Sequence, residues 1–263
     1  MKPSKIVYYD DPLHDEFSGT NITHRPLPKN FKYHHTNWLY RACAWTLYYF
    51  IIYPFGNLIY RLFLHYKVVG NKRIKGIMGK PVFFYGNHTQ IADAGIAQLL
   101  ASRAKRTYII TNQDTTSIKG IRGLVCMIGA IPTPETPEQR QGFVEAIKYH
   151  CKHKCGIAIF PEAHIWPYST HIRPFGDDSF VYPAEIGAPV VAMCTTYRPR
   201  RFFKKKPPVP TLHISKPIMP DMSLSMQQRK KQLRDAVYEY MVDTSSNETN
   251  VEWIAYVKRP EGK

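Results

Sequence analysis

Between residues 68 and 215, short apolar runs alternate with segments of helical spacing, and this alternation leaves few folds open. Segments 81–85, 106–111, 156–160, 188–197 and 211–215 have the length and apolar density of buried strands. Segments 91–104 and 137–154 have helical spacing. Thr136-Pro137-Glu138-Gln139 is a well-formed helix start, with Thr as N-cap, Pro in the first turn and Gln three residues after the cap. Ser225 with Gln228 can cap a last helix reaching about Val242. Strands separated by helices pair through crossovers. The expected fold is therefore α/β, a mostly parallel sheet flanked by helices.

Upstream lies a different material. Residues 1–37 are rich in Pro and His and lack a period, which suggests an extended arm. Between Arg41 and Arg61 stand nineteen uncharged residues, 42–60, about 28 Å of helix against a bilayer core of about 30 Å. Pro54, Gly56 and Asn57 interrupt the run, and Trp38, Tyr40, Trp45, Tyr48, Tyr49, Tyr53 and Tyr60 are residues of the headgroup level. We expect membrane-associated aromatic helices over 38–66, broken at Pro54 and lying in or re-entering the interface, with a true span or a buried core helix as the lesser readings. An α/β domain over 67–220 and a C-terminal helix and tail over 221–263 complete the division.

Charge narrows the partners. Lys and Arg number 36 and Asp and Glu 20, a net +16 that calls for a polyanion. Ten basic residues and one acid, Asp221, fall between Arg198 and Lys231. An anionic membrane surface suits this stretch, because Phe202 and Phe203 interleave with its cations. Nucleic acid is an unlikely partner, since no zinc-finger spacing, RNA-binding aromatic signature or basic zipper helix is present. Cys151 and Cys155 stand one helical turn apart, but without a second ligand group of zinc spacing we expect no metal. Five cysteines in no disulfide framework, and an acidic rather than apolar opening, point to a reducing compartment. The expected location is the cytoplasmic face of a membrane, peripheral or monotopic.

The segment Gly86-Asn87-His88-Thr89-Gln90-Ile91-Ala92-Asp93 follows a strand and opens a helix, where α/β proteins display reactive groups. On one regular helix His88 and Asp93 would point about 140° apart. They meet if His88 sits in the turn and Asp93 in the first helical turn. Asp93 would then hold the Nδ1 proton and leave Nε2 as a base. No Gly-x-Ser-x-Gly elbow appears and no cysteine lies in this segment, so the base would activate a substrate hydroxyl directly. Alone, such a pair is a weak signal. Phe160-Pro161-Glu162 places a second carboxylate at a strand's carboxyl end, facing a ligand crevice.

Asn87-His88 with Asp93, Phe160-Pro161-Glu162 and Gly187-Ala188-Pro189-Val190-Val191, in this order, are similar to the glycerophospholipid acyltransferases of the 1-acylglycerol-3-phosphate acyltransferase type. The resemblance spans about residues 68–217 and implies phospholipid biosynthesis without a bound cofactor. A fatty acyl group would pass from acyl-CoA or acyl-carrier protein to a lysophospholipid hydroxyl. It makes His88 the general base, Asp93 its partner, and Asn87 and Glu162 residues of the substrate site. Where the family continues with Gly-Thr-Arg, this chain has Ala163-His164-Ile165, and Pro134-Glu135 stands where a phosphate-binding Arg is usual. Arg140, His164 and Arg173 are the candidates to replace these cations. A non-catalytic lipid-binding relative is the alternative, and it would leave the His88–Asp93 pair without a purpose.

Overall fold

The computed structural model describes residues 3–19, 23, 25–117 and 120–260; Met1 and Lys2 of the acidic opening lie outside them. The strands are β1 (Lys5–Tyr9), β2 (Lys67–Val69), β3 (Val82–Gly86), β4 (Thr107–Thr111), β5 (Ala130–Pro132), β6 (Gly156–Ile159), β7 (Val190–Arg198), β8 (Val209–Ile214) and β9 (Ile254–Lys258). The helices are α1 (Trp38–Leu62), α2 (Asp93–Ile96), α3 (Arg122–Ile128), α4 (Pro137–Lys152), α5 (Val181–Ile186) and α6 (Met226–Asn247). A wider turn, Ala97–Ala101, prolongs α2.

Seven strands form one sheet in the order β2-β8-β7-β3-β6-β4-β5. Strands β5, β4, β6, β3 and β7 are mutually parallel, and β8 joins β7 antiparallel with β2 parallel to it. Central strand β3 is buried throughout, as a sheet covered on both faces requires. Phe83 and Tyr85 face the side covered by α4 and α6, where Phe143, Ile147, Leu233 and Val237 pack. Val82 and Phe84 face the side covered by α2, with Ile96 and Leu100. Thr136 caps α4 and Ser225 with Gln228 forms a full capping box on α6, which runs on to Asn247.

Two features depart from expectation. Helix α1 is not broken at Pro54. Its middle, Leu47–Ile52, is π-helical, and the Tyr53 N–H bonds the Tyr48 carbonyl five residues back. That wider turn precedes Pro54, so the ring avoids the carbonyl it would strike in a regular α-helix. The result is a 25-residue apolar helix, about 37 Å long. The arm is also more than an arm. Strand β1 pairs in parallel with β9 from the other end of the chain, and Leu27 and Tyr33 enter the main core.

One face of α1 docks on the domain. Tyr48 Oη donates to the Gln98 carbonyl at 3.2 Å, Asn57 Nδ2 to that of Leu99, and Tyr60 Oη to that of Ala92. Close approach is possible because Gly95 lies against Tyr60: a Cβ there would collide with its hydroxyl. Gly95→Val is therefore expected to destabilise the protein by about 1–3 kcal/mol through overpacking, read from the denaturation midpoint. An unchanged midpoint would show that α1 is not seated as described.

Candidate active site

The parallel strands deliver three loops to one edge of the sheet: residues 87–92 after β3, 160–173 after β6, and 199–208 after β7, with β3 between β6 and β7. Asn87 leaves β3 by copying backbone pairing. Its Nδ2 donates to the Thr195 carbonyl at 3.0 Å, and its Oδ1 accepts from the Thr195 N–H at 2.8 Å. Both ends of the amide are thus spent on β7. The structure gives Asn87 the task of aiming the turn that follows.

That turn carries the pair expected from sequence. Asp93 opens α2 and is fully buried. Its Oδ2 accepts from the N–H groups of Thr89 at 2.5 Å and Gln90 at 2.7 Å, and lies 3.2 Å from His88 Nδ1. Tyr66 Oη stands 3.5 Å from Oδ1, a weak bond. Burial, then the Asp93 charge, push the Tyr66 phenol well above its ordinary range, so it stays a donor. With Nδ1 directed at Asp93, Nε2 of His88 points away from that carboxylate, and the side chain remains 15% exposed. The Phe160 ring stacks on the imidazole with centroids 4.7 Å apart. Gly86 makes room for that ring: a Cβ there would lie 2.8 Å from Phe160 Cε1.

Glu162 is a joint between loops. Its Oε2 accepts from the His88 N–H at 3.0 Å, its Oε1 from the Arg173 N–H at 3.0 Å, and Arg173 Nη2 lies 3.1 Å from Oε2. Both side chains are almost wholly buried. Burial pushes the Glu162 carboxyl up, against the pull of Arg173 and of the two backbone N–H groups. The Arg173 guanidinium also donates to the carbonyls of His164 and Pro12 and lies 4.8 Å from the Trp166 ring centroid. Arg173 and Glu162 bond each other and nearby backbone, and Arg173 Nε is buried without a hydrogen-bond partner. His164 Nδ1 pairs with Glu16 at 2.9 Å. Arg140 is exposed on the first turns of α4, where its charge acts on Tyr182.

What the sequence did not reveal is how the two ends of the chain brace this edge. Trp166 Nε1 donates to the Asp15 carbonyl at 2.8 Å, and its ring packs against Tyr9, Phe17 and Tyr256. The Trp166 N–H donates to the His88 carbonyl at 3.1 Å, so the brace reaches the histidine turn directly. Ala163, with φ 62, and Tyr168, with φ 58, are held in the left-handed region on either side of Trp166. A tryptophan four residues after Glu162 was the one available signal.

The basic stretch divides on folding. Arg229 is buried and bonds the Ala184, Asp221, Met222 and Leu224 carbonyls, while Lys230 pairs with Asp177. The loop after β7 stays at the site's edge, its Phe202 and Phe203 exposed beside Lys204, Lys205 and Lys206. Arg198 Nη2 ties this edge to α1's end by donating to the His65 carbonyl at 2.7 Å. Among the described residues no group of three His, Cys, Asp or Glu is placed to hold a metal ion.

A buried carboxylate orienting a part-exposed imidazole can serve as a general base. The family model described as Acyltransferase matches residues 65–196, the segment that holds His88, Asp93 and Glu162. Among solved structures, the 1-acyl-sn-glycerophosphate acyltransferase PlsC from Thermotoga maritima shares the fold, with a TM-score of 0.53 and 18% identity over 81% of this chain and 96% of that one. A comparison with curated protein sequences gave no match. The chain belongs to the acyltransferase family.

Proposed function

We propose that the chain moves a fatty acyl group from an acyl thioester, of coenzyme A or a carrier protein, to the hydroxyl of a lysophospholipid such as 1-acylglycerol-3-phosphate. The observation that carries this reading is the His88–Asp93 pair at the strand edge. Nε2 of His88 takes the hydroxyl proton as the oxygen attacks the thioester carbonyl. The tetrahedral intermediate collapses, the C–S bond breaks, and the imidazolium returns its proton to the departing sulfur. Asp93 stabilises the imidazolium formed in between. The oxyanion needs preorganised donors. The N–H groups of His88, Thr89 and Gln90 are already bound to carboxylates, so it must use others. An acceptor phosphate would meet the loop after β7, since Arg173 and His164 are engaged elsewhere.

Release of free thiol from acyl-CoA in the presence of lysolipid vesicles tests the proposal. Lysolipid-dependent release is expected; binding of lysolipid with no release would favour the non-catalytic relative.

The reaction would take place at a membrane surface, on its cytoplasmic face. Phe50, Phe55, Leu58 and Leu62 on the outer side of α1 are exposed, and so are Phe63, Ile91, Phe202 and Phe203. These rings and aliphatic groups suit an interface, with Lys204–Lys206 on anionic headgroups. Asp at Phe50, Phe55 and Leu58 together is expected to release the protein from anionic vesicles at any salt. Glu at Lys204, Lys205 and Lys206 should weaken binding mainly at low salt, because surface charges are screened beyond about 8 Å at physiological ionic strength. Sedimentation with liposomes reads both, and equal salt dependence of the two variants would refute this anchoring.

A further inference from the structure

A cavity of about 520 Å³ lies where the chain enters the strands, at the sheet edge opposite His88. Arg106 and Tyr108 at the start of β4, Ala130 at the start of β5 and Cys155 before β6 form its floor. The arm and the first turns of α1, with Trp38 and Trp45, close it. Because β3 to β7 are parallel, this edge and the His88 edge are a strand's length apart, about 15 Å. The size falls in the range of small-molecule sites, roughly 300–1,000 Å³.

Its chemistry is one-sided. Lys32, Arg41, Arg106 and four histidines line it, and no carboxylate does. The Arg106 guanidinium lies over Tyr48, 4.1 Å from the ring centroid, and Nη2 donates to the Met127 carbonyl at 2.7 Å. Nη1 is buried, and Tyr108 stands beside the guanidinium, its ring centroid 4.9 Å away and its hydroxyl within hydrogen-bonding reach of the group. Cations gathered around a cavity whose lining holds no carboxylate favour an anionic occupant. Burial first, then the charges of His34, Arg106 and His153, push the His150 imidazole down to about 3. The ring faces are already used, Tyr108 on His150, Tyr149 on His34 and Tyr40 on His35. A flexible chain fits between these aromatic walls.

We infer that this cavity binds a single-chain anionic amphiphile, its head group among the cations at Arg106 and its chain along the aromatic walls beneath the start of α1. The site is separate from the acyl-transfer site and does not depend on the reaction assigned to it. A fatty-acid carboxylate and a lysolipid phosphate share the required chemistry.

Quenching of tryptophan fluorescence by 12-bromododecanoate, 12-bromododecyl phosphate and 12-bromododecanol, all below micelle formation, tests it on the full chain. Saturable quenching is expected from both anions at concentrations at least about tenfold below the alcohol, the worth of a hydrogen bond to a charged group. A preference for the phosphate would identify a lysolipid ligand, and one for the carboxylate a fatty acid. Arg106→Met should erase the gap between anion and alcohol. Ala44→Phe, which fills the cavity from α1 and spares Arg106, should abolish saturation. His88→Ala should leave both intact. Equal quenching by acid and alcohol in the wild type overturns the inference. So does a gap that survives Arg106→Met or Ala44→Phe, or one that vanishes in His88→Ala.

Discussion

Acyl transfer by the His88→Ala variant is expected to fall by about 10²–10⁴-fold, the usual worth of a positioned general base. Its thermal midpoint should move little. The Thr89 and Gln90 N–H groups remain on Asp93, and the His88 N–H remains on Glu162, because neither contact uses the imidazole. Asp93→Asn is the informative companion. It removes the charge that stabilises the imidazolium and places an amide against two backbone donors, so it should lower both kcat and the midpoint. Thiol release and circular dichroism on the same preparations separate the two effects. Near-normal turnover in His88→Ala would end the general-base assignment.

Arg173→Ala is expected to produce the largest loss of stability, about 3–5 kcal/mol, because it leaves the buried Glu162 carboxylate without its cation. The same change lets go of the histidine turn, since Glu162 holds the His88 N–H. Activity should therefore fall for every acceptor alike, with kcat affected more than the acceptor KM. The expectation from sequence was different: with an arginine on the acceptor phosphate, Arg173→Ala would raise the acceptor KM more than the donor KM. Thermal denaturation together with kinetics on a charged and an uncharged acceptor decides between them. Glu162→Leu combined with Arg173→Met should recover part of the stability, because a buried pair replaced by apolar groups leaves no orphaned charge.

What spacing along the chain can encode was legible in it. The capped starts of α4 and α6 follow from a side chain three residues from the N–H it satisfies, and both were found where expected. The meeting of His88 and Asp93 follows from the geometry of one turn, within five residues. Alternation of strand and helix determined a parallel sheet, since chirality and short connections leave few other arrangements. The tertiary structure alone decided how distant groups dispose of their polar atoms. Arg173 and Glu162 look, in sequence, like a free cation and a free anion eleven residues apart; burial makes each the other's partner. Asn87 looks like a ligand-binding amide, yet β7, some hundred residues away, takes both of its ends. Strands β1 and β9 show no mutual preference in sequence, and their pairing closes a chain-length loop that contacts across the fold, such as Tyr256 on Trp166 and Arg259 with Asp10, reward. The run 42–60 shows the division within one element. Its composition determined an apolar helix, whereas docking against Gly95 and Leu99 decided which face stays exposed to an interface. Local rules act through bonds that a few residues span; the remainder depends on which surfaces meet, and the burial of polar groups then leaves them a single set of partners.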